Sequence, residues 1–140
     1  MKYVVFLISI VIIHFGIIKQ NDTETVYIFF DIQNKEECLL DVEGQGYVSI
    51  KKYKKVKNRG KDRFHICGEK FDLIEEKGIV IDAIQMKEIC LVDLSYLLLK
   101  KRENALRQNP FGKIFLVERI SENKFLKREV LWVDQWDEID

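Results

Sequence analysis

The sequence predicts an α+β domain, mainly antiparallel β-sheet with one main helix, preceded by an N-terminal hydrophobic helix. Three observations carry this. An uncharged apolar run fills residues 3–18. Short β-branched and aromatic runs then alternate with turn residues over most of the chain. One stretch, 94–108, shows helical spacing behind a capping aspartate.

Residues 1–20 read as a signal-anchor or transmembrane segment. No charge falls between Lys2 and Lys19. Sixteen helical residues span about 24 Å, short of a hydrocarbon core of about 30 Å, which snorkelling of Lys2 and Lys19 extends. The flank His14-Phe-Gly-Ile-Ile-Lys-Gln-Asn21 offers no Ala-x-Ala cleavage site and no lipoprotein cysteine. A retained anchor is therefore expected, with the domain on the exported, periplasmic or extracellular side. Secretion after cleavage is the alternative.

Residues 21–140 then form one small domain. At 140 residues in all, 47% hydrophobic and 33% charged, the composition is that of an ordinary globular chain. Thr25-Val-Tyr-Ile-Phe-Phe-Asp-Ile32 reads as a strand, Cys38–Val42 as a short one, and Glu43-Gly-Gln-Gly46 as a turn. Tyr47–Val56 reads as one strand with Arg63–Cys67 as its hairpin partner. Phe71–Ile74 and Gly78–Ile84 are further short strands, and 86–92 is ambiguous.

Asp93 is a good N-cap for a helix over 94–108. Leu94, Leu97, Leu98, Ala105 and Leu106 share a face, and Asn109-Pro110 ends the helix. Lys113–Ile120 and Phe125–Val133 form a C-terminal hairpin, followed by an acidic tail with Trp136.

The formal net charge is zero, but the charge is blocked. Residues 51–63 hold eight bases against Asp62, and 129–140 hold five acids and no base. Such blocks pair within a fold or present a bipolar surface to a partner. Lys51, Lys52, Tyr53, Lys54, Lys55 and Arg59 are the foremost partner-binding candidates, with Trp136 and Asp137 in the tail. Alternation puts Lys51 and Lys55 on one strand face and Lys52 and Lys54 on the other. Charge on both faces marks an edge strand, where lysines also block strand-to-strand aggregation.

Cys38, Cys67 and Cys90 lack CxxC spacing, which argues against a zinc or thioredoxin-type site. In an exported domain two of them can form a disulfide and leave one over, and Cys67–Cys90 is then favoured because both lie in strand-like runs; the alternative is three buried thiols acting as small hydrophobes. His65 and Cys67 would share a strand face, the closeness a Cys/His nucleophile needs, but no third group marks a catalytic site. No Gly-rich phosphate loop, HExxH or GxSxG occurs, so no enzyme and no cofactor or metal are expected.

These features point to a membrane-tethered envelope protein that acts by protein–protein binding. The acidic blocks and the expected export argue against nucleic acid. The layout resembles that of short anchor-plus-domain bacterial proteins, some of them immunity proteins that neutralise a secreted toxin. No motif carries that resemblance. An accessory subunit of a membrane complex is the structural alternative.

Overall fold

The structure, a computed structural model, describes residues 24–104 and 110–133. The expected N-terminal hydrophobic helix therefore lies outside the described residues. No helix among those described is long and apolar enough to cross a membrane.

Among the described residues the elements are β1 (Thr25–Phe30), β2 (Glu37–Val42), β3 (Gly46–Lys51), β4 (Tyr53–Asn58), β5 (Lys61–Ile66), β6 (Glu69–Leu73), β7 (Ile79–Asp82), α1 (Ala83–Glu88), β8 (Leu91–Val92), α2 (Leu94–Glu103), β9 (Lys113–Ser121) and β10 (Lys124–Val133). The α+β class with one main helix holds. One sheet has the order β4-β5-β6-β10-β9-β1-β8, with β7 also paired to β10. The strands β2 and β3 form a separate ribbon.

The long strand β10 organises the sheet. One edge pairs with β9, while the other takes β7 at Lys124–Lys127 and β6 at Val130–Val133. Pairing is mainly antiparallel, but β1 inserts parallel to both β9 and β8. Such a strand must be apolar on both faces. The run Thr25-Val-Tyr-Ile-Phe-Phe30 meets that need: Val26, Ile28 and Phe30 enter the main core, and Tyr27 and Phe29 pack in a second cluster.

The sheet curls strongly. In a flat sheet the five spacings between β4 and β1 would separate them by about 24 Å. Instead the Phe30 ring on β1 meets the Tyr53 ring on β4 edge-on at 5.2 Å, and Phe64 on β5 at 5.1 Å. The concave side holds the main core, with Phe30, Phe64, Phe71, Ile114, Leu116 and Leu97 of α2. Each such side chain contributes about 1.5–3 kcal/mol through burial. On the opposite side α1 covers Ile81, Val117 and Phe125 with Met86 and Ile89.

Two tight turns build the meander β4–β5–β6. Arg59 and Gly60 have φ of 50° and 82°, and Cys67 and Gly68 have φ of 47° and 87°. Two consecutive positive-φ residues match the twist of a two-residue hairpin.

Several expectations change. The run 47–56 is two strands, broken at Lys52, whose N–H donates to the Glu36 carbonyl while its own carbonyl accepts from Cys67. Residues 83–84 leave the strand expected there and open α1. Asp82 accepts from the Ile84 and Gln85 amides, and Gln85 returns a bond to the Asp82 N–H, a reciprocal cap that outweighs strand propensity. Asp93 does cap α2, accepting from Tyr96, but the described helix ends at Glu103, and Ala105 and Leu106 lie outside the described residues.

The disulfide pairing is also corrected. Cys67 bonds Cys38, with Cα atoms 5.4 Å apart, and Cys90 is free and exposed. The turn at 67–68 sits under the ribbon, where Leu40 and Ile50 pack against Gly68. Cys90 instead precedes β8, at the other end of the strand order.

Candidate functional site

Strand register sorts the basic stretch into two populations. The pairings Lys54↔His65↔Lys70↔Val133 and Val56↔Arg63↔Asp72↔Leu131 form two adjacent rows across β4, β5, β6 and β10. Directly paired residues share a face, so both rows lie on the convex side. The intervening row, Lys55↔Phe64↔Phe71↔Trp132, faces the core.

Lys55 is exposed at the sheet edge, but its charge is engaged by groups on the core side. Its ammonium lies 5.1 Å from the Phe64 ring centre, 3.3 Å from Glu118 and 3.4 Å from Asp62. Lys57 also holds Asp62, at 2.6 Å. Glu118 in turn binds the guanidinium of Arg128, which is only 7% exposed and stands over Phe64. The hydrogen bond from Lys57 holds the Asp62 carboxyl below the usual carboxylate range, against a smaller upward push from burial.

Lys52 and Tyr53 are also engaged internally. Lys52 donates to the Glu36 carboxylate. That bond raises the Lys52 pKa and lowers that of Glu36. Tyr53 is buried, which pushes its phenol up. So of the six foremost candidates, Lys51, Lys54, Lys55 and Arg59 are exposed, and of these Lys51, Lys54 and Arg59 make no ion pair among the described residues. Trp136 and Asp137 lie outside the described residues.

The convex face adds residues that the basic run alone did not single out. Arg63 forks onto Asp72, with Nε–Oδ1 at 2.6 Å and Nη2–Oδ2 at 2.9 Å. Lys61 is exposed beside it. A groove of about 790 Å³ runs from Arg59, Lys61 and Arg63 to Leu131 and Val133, with Leu131 52% exposed. A second cavity of about 540 Å³ lies between ribbon and meander, bounded by Ile50, Lys51, Lys54, His65 and Gly68. Lys70 and Leu131 were missed because no local signal in the sequence pairs β6 with β10.

His65 sits between Lys54 and Lys70 in its row. Burial lowers its pKa first, and the cations Lys54, Lys70 and Arg63 lower it further. Its Nε2 is buried without a hydrogen-bond partner among the described residues. The Cys67 sulfur is bonded to Cys38, so the Cys/His nucleophile considered from the sequence has no thiolate here. Among the described residues no group of His, Cys, Asp and Glu side chains has a metal-binding arrangement.

No family model matches the chain, and neither does any curated protein or solved structure.

Proposed function

We propose that this chain is a small membrane-tethered binding module whose convex cationic face takes an acidic protein surface. One observation carries the reading. Lys51, Lys54, Arg59 and Lys61 make no ion pair among the described residues, whereas Lys52, Lys55 and Lys57, from the same basic run, are held by acids of the fold. Arg59 and Lys61 share a groove with the exposed Leu131, and Lys51 and Lys54 line the neighbouring cavity; unpaired charges of one sign favour fast, selective capture of an oppositely charged surface. The apolar run 3–18 supports tethering, and a structural disulfide suits an exported domain. Neutralising a secreted toxin is one form such a contact takes.

The test compares the full chain with a Lys54→Glu, Arg59→Glu, Lys61→Glu variant in cross-linking capture from envelope and secreted fractions, with nuclease added throughout. The expected result is a protein captured by the native chain and lost with the variant. Capture that charge reversal leaves unchanged, or that nuclease abolishes, overturns the proposal.

A further inference from the structure

The strand β4 stands at one end of the strand order, so one of its edges has no neighbouring strand. The two-residue turn at Arg59-Gly60 makes Asn58↔Lys61 the closing hydrogen-bonded pair of the β4–β5 hairpin. Alternation from that pair aims the backbone N–H and C=O groups of Val56 and Lys54 at β5. It turns those of Tyr53, Lys55 and Lys57 away from β5, where they have no backbone partner among the described residues. A groove of about 720 Å³ lies along this edge, between β4 and the loop that follows β1. The bond from the Lys52 N–H to the Glu36 carbonyl joins loop and strand at one end of it.

The two sides of this edge differ in charge. Lys35, Lys51 and Lys54 line the groove, are exposed and make no ion pair among the described residues. Glu37 is the acid in the lining, paired across the ribbon with Lys51, and it accepts the Ser49 hydroxyl. The neighbouring acids are held elsewhere: Glu36 by Lys52, and Asp31 by Arg119 at 3.9 Å. Asp72 and Glu129, the acids of the convex face, lie on β6 and β10 beside Arg63 and Lys113. On the core side of the edge, Asp62 and Glu118 already engage Lys55 and Lys57. Ile32, 46% exposed, and Tyr53 give the groove apolar surface.

We infer that this edge takes an extended segment of the acidic partner as an added strand, with acidic and apolar residues alternating along it. This rests on the binding role proposed above and names the form of the partner. Backbone bonds to Lys55 and Lys57 supply affinity, and alternate side chains supply selection. Carboxylates on the convex side of the added strand meet Lys54. Apolar side chains on its other side meet Tyr53 and Ile32, where a second carboxylate would face Asp62 and Glu118. The same lysines repel the basic edge of a second copy, which keeps the edge open for an acidic strand.

The test uses the full chain in detergent and the peptide (Glu-Val)4 as probe. Its counterpart is the same peptide N-methylated at every residue, which keeps the charge and removes the backbone donors. The native chain is expected to bind the N-methylated peptide about tenfold more weakly, the scale of two lost backbone hydrogen bonds. Amide exchange followed by NMR should slow at Lys55 and Lys57 when (Glu-Val)4 is added, and stay unchanged at Val56, which already faces β5. The variant Lys35→Glu, Lys51→Glu, Lys54→Glu should lose the binding.

Equal binding of the two peptides, or binding that leaves the Lys55 and Lys57 amides unprotected, overturns strand addition. It leaves the acidic-partner reading to the capture experiment above, which does not depend on edge pairing. Failure of the native chain to bind (Glu-Val)4 also overturns the inference. So does edge protection that appears without peptide and grows with protein concentration, because the occupant is then a second copy.

Discussion

The Lys55 ammonium lies 3.3 Å from the Glu118 carboxylate, joining the edge strand β4 to β9 across the concave side of the curled sheet. Glu118 also holds Arg128, and Asp62 reaches both cations as well, so two carboxylates are shared by two cations. Removing the Glu118 carboxylate leaves the guanidinium of Arg128 charged in a site with almost no water. Glu118→Gln is expected to cost about 3–5 kcal/mol, the scale of a buried pair broken on one side. Lys54→Gln, on the convex face, is expected to stay within about 0.5 kcal/mol of native. Urea unfolding at neutral pH checks both. An unchanged midpoint for Glu118→Gln would show that the cluster does not hold β4 to β9.

Asp62 belongs to the same cluster and gives it a pH dependence. The Lys57 hydrogen bond lowers its folded pKa below the ordinary 3.8. The unfolded chain therefore takes up the proton first as pH falls. The contribution of Asp62 is complete above the unfolded value and is lost as pH falls through the folded one. Asp62→Asn should flatten the acid limb of stability and leave the curve above it parallel to native. Urea midpoints from about pH 5 to about pH 2 decide this. Acid limbs of equal slope in the two proteins would count against the assignment.

The elements legible in the sequence are those whose determinants are local. The β9–β10 hairpin is marked by its polar turn, and α2 by Asp93, whose carboxylate does accept from Tyr96. The pairings that build the convex face are not local. The register that sets Lys70 and Asp72 between β5 and β10 joins residues about sixty apart in the chain on its β10 side. The fate of the lysines follows from that same curl. Alternation correctly separates Lys54 from Lys55, but only the approach of β9 to β4 shows that Lys55 points at Glu118. The break at Lys52 depends on Glu36, which arrives from β2's side of the ribbon. The Cys38–Cys67 pairing is hidden from the sequence for a similar reason, since the ribbon that brings Cys38 over the 67–68 turn is placed by tertiary packing of Leu40 and Ile50 on Gly68.

The Cys38–Cys67 bond closes a loop with a sequence separation of 29. Chain-entropy scaling gives about 3–4 kcal/mol for a loop of that size. Cys38→Ser is expected to destabilise by up to that amount and to free the β2–β3 ribbon, while Cys90→Ser leaves the urea midpoint unchanged. Thiol titration of the unreduced, denatured chain should find one thiol in the native sequence and none after Cys90→Ser. Two thiols remaining after Cys38→Ser is the matching result, from Cys67 and Cys90. A native thiol that survives Cys90→Ser would instead show that Cys90 takes part in the bond.

His65 reports on the convex face without any partner in hand. Burial is the first cause of its lowered pKa, and Lys54, Lys70 and Arg63 add to it. Its folded value lies below the ordinary 6.5, so the unfolded chain binds the proton first on acidification. Stability carried by the neutral ring is present above that value and is lost as pH falls through the folded pKa. Lys54→Glu replaces a repelling cation with an attracting anion, and it should raise the His65 pKa. An acidic segment seated on the face should act in the same direction, because it too places carboxylates near the ring. Titration of the imidazole Cε1–H by NMR, with His14→Gln to remove the chain's other histidine, measures each effect. A native His65 that titrates at or above 6.5, or one that ignores Lys54→Glu, would refute the row of cations around it.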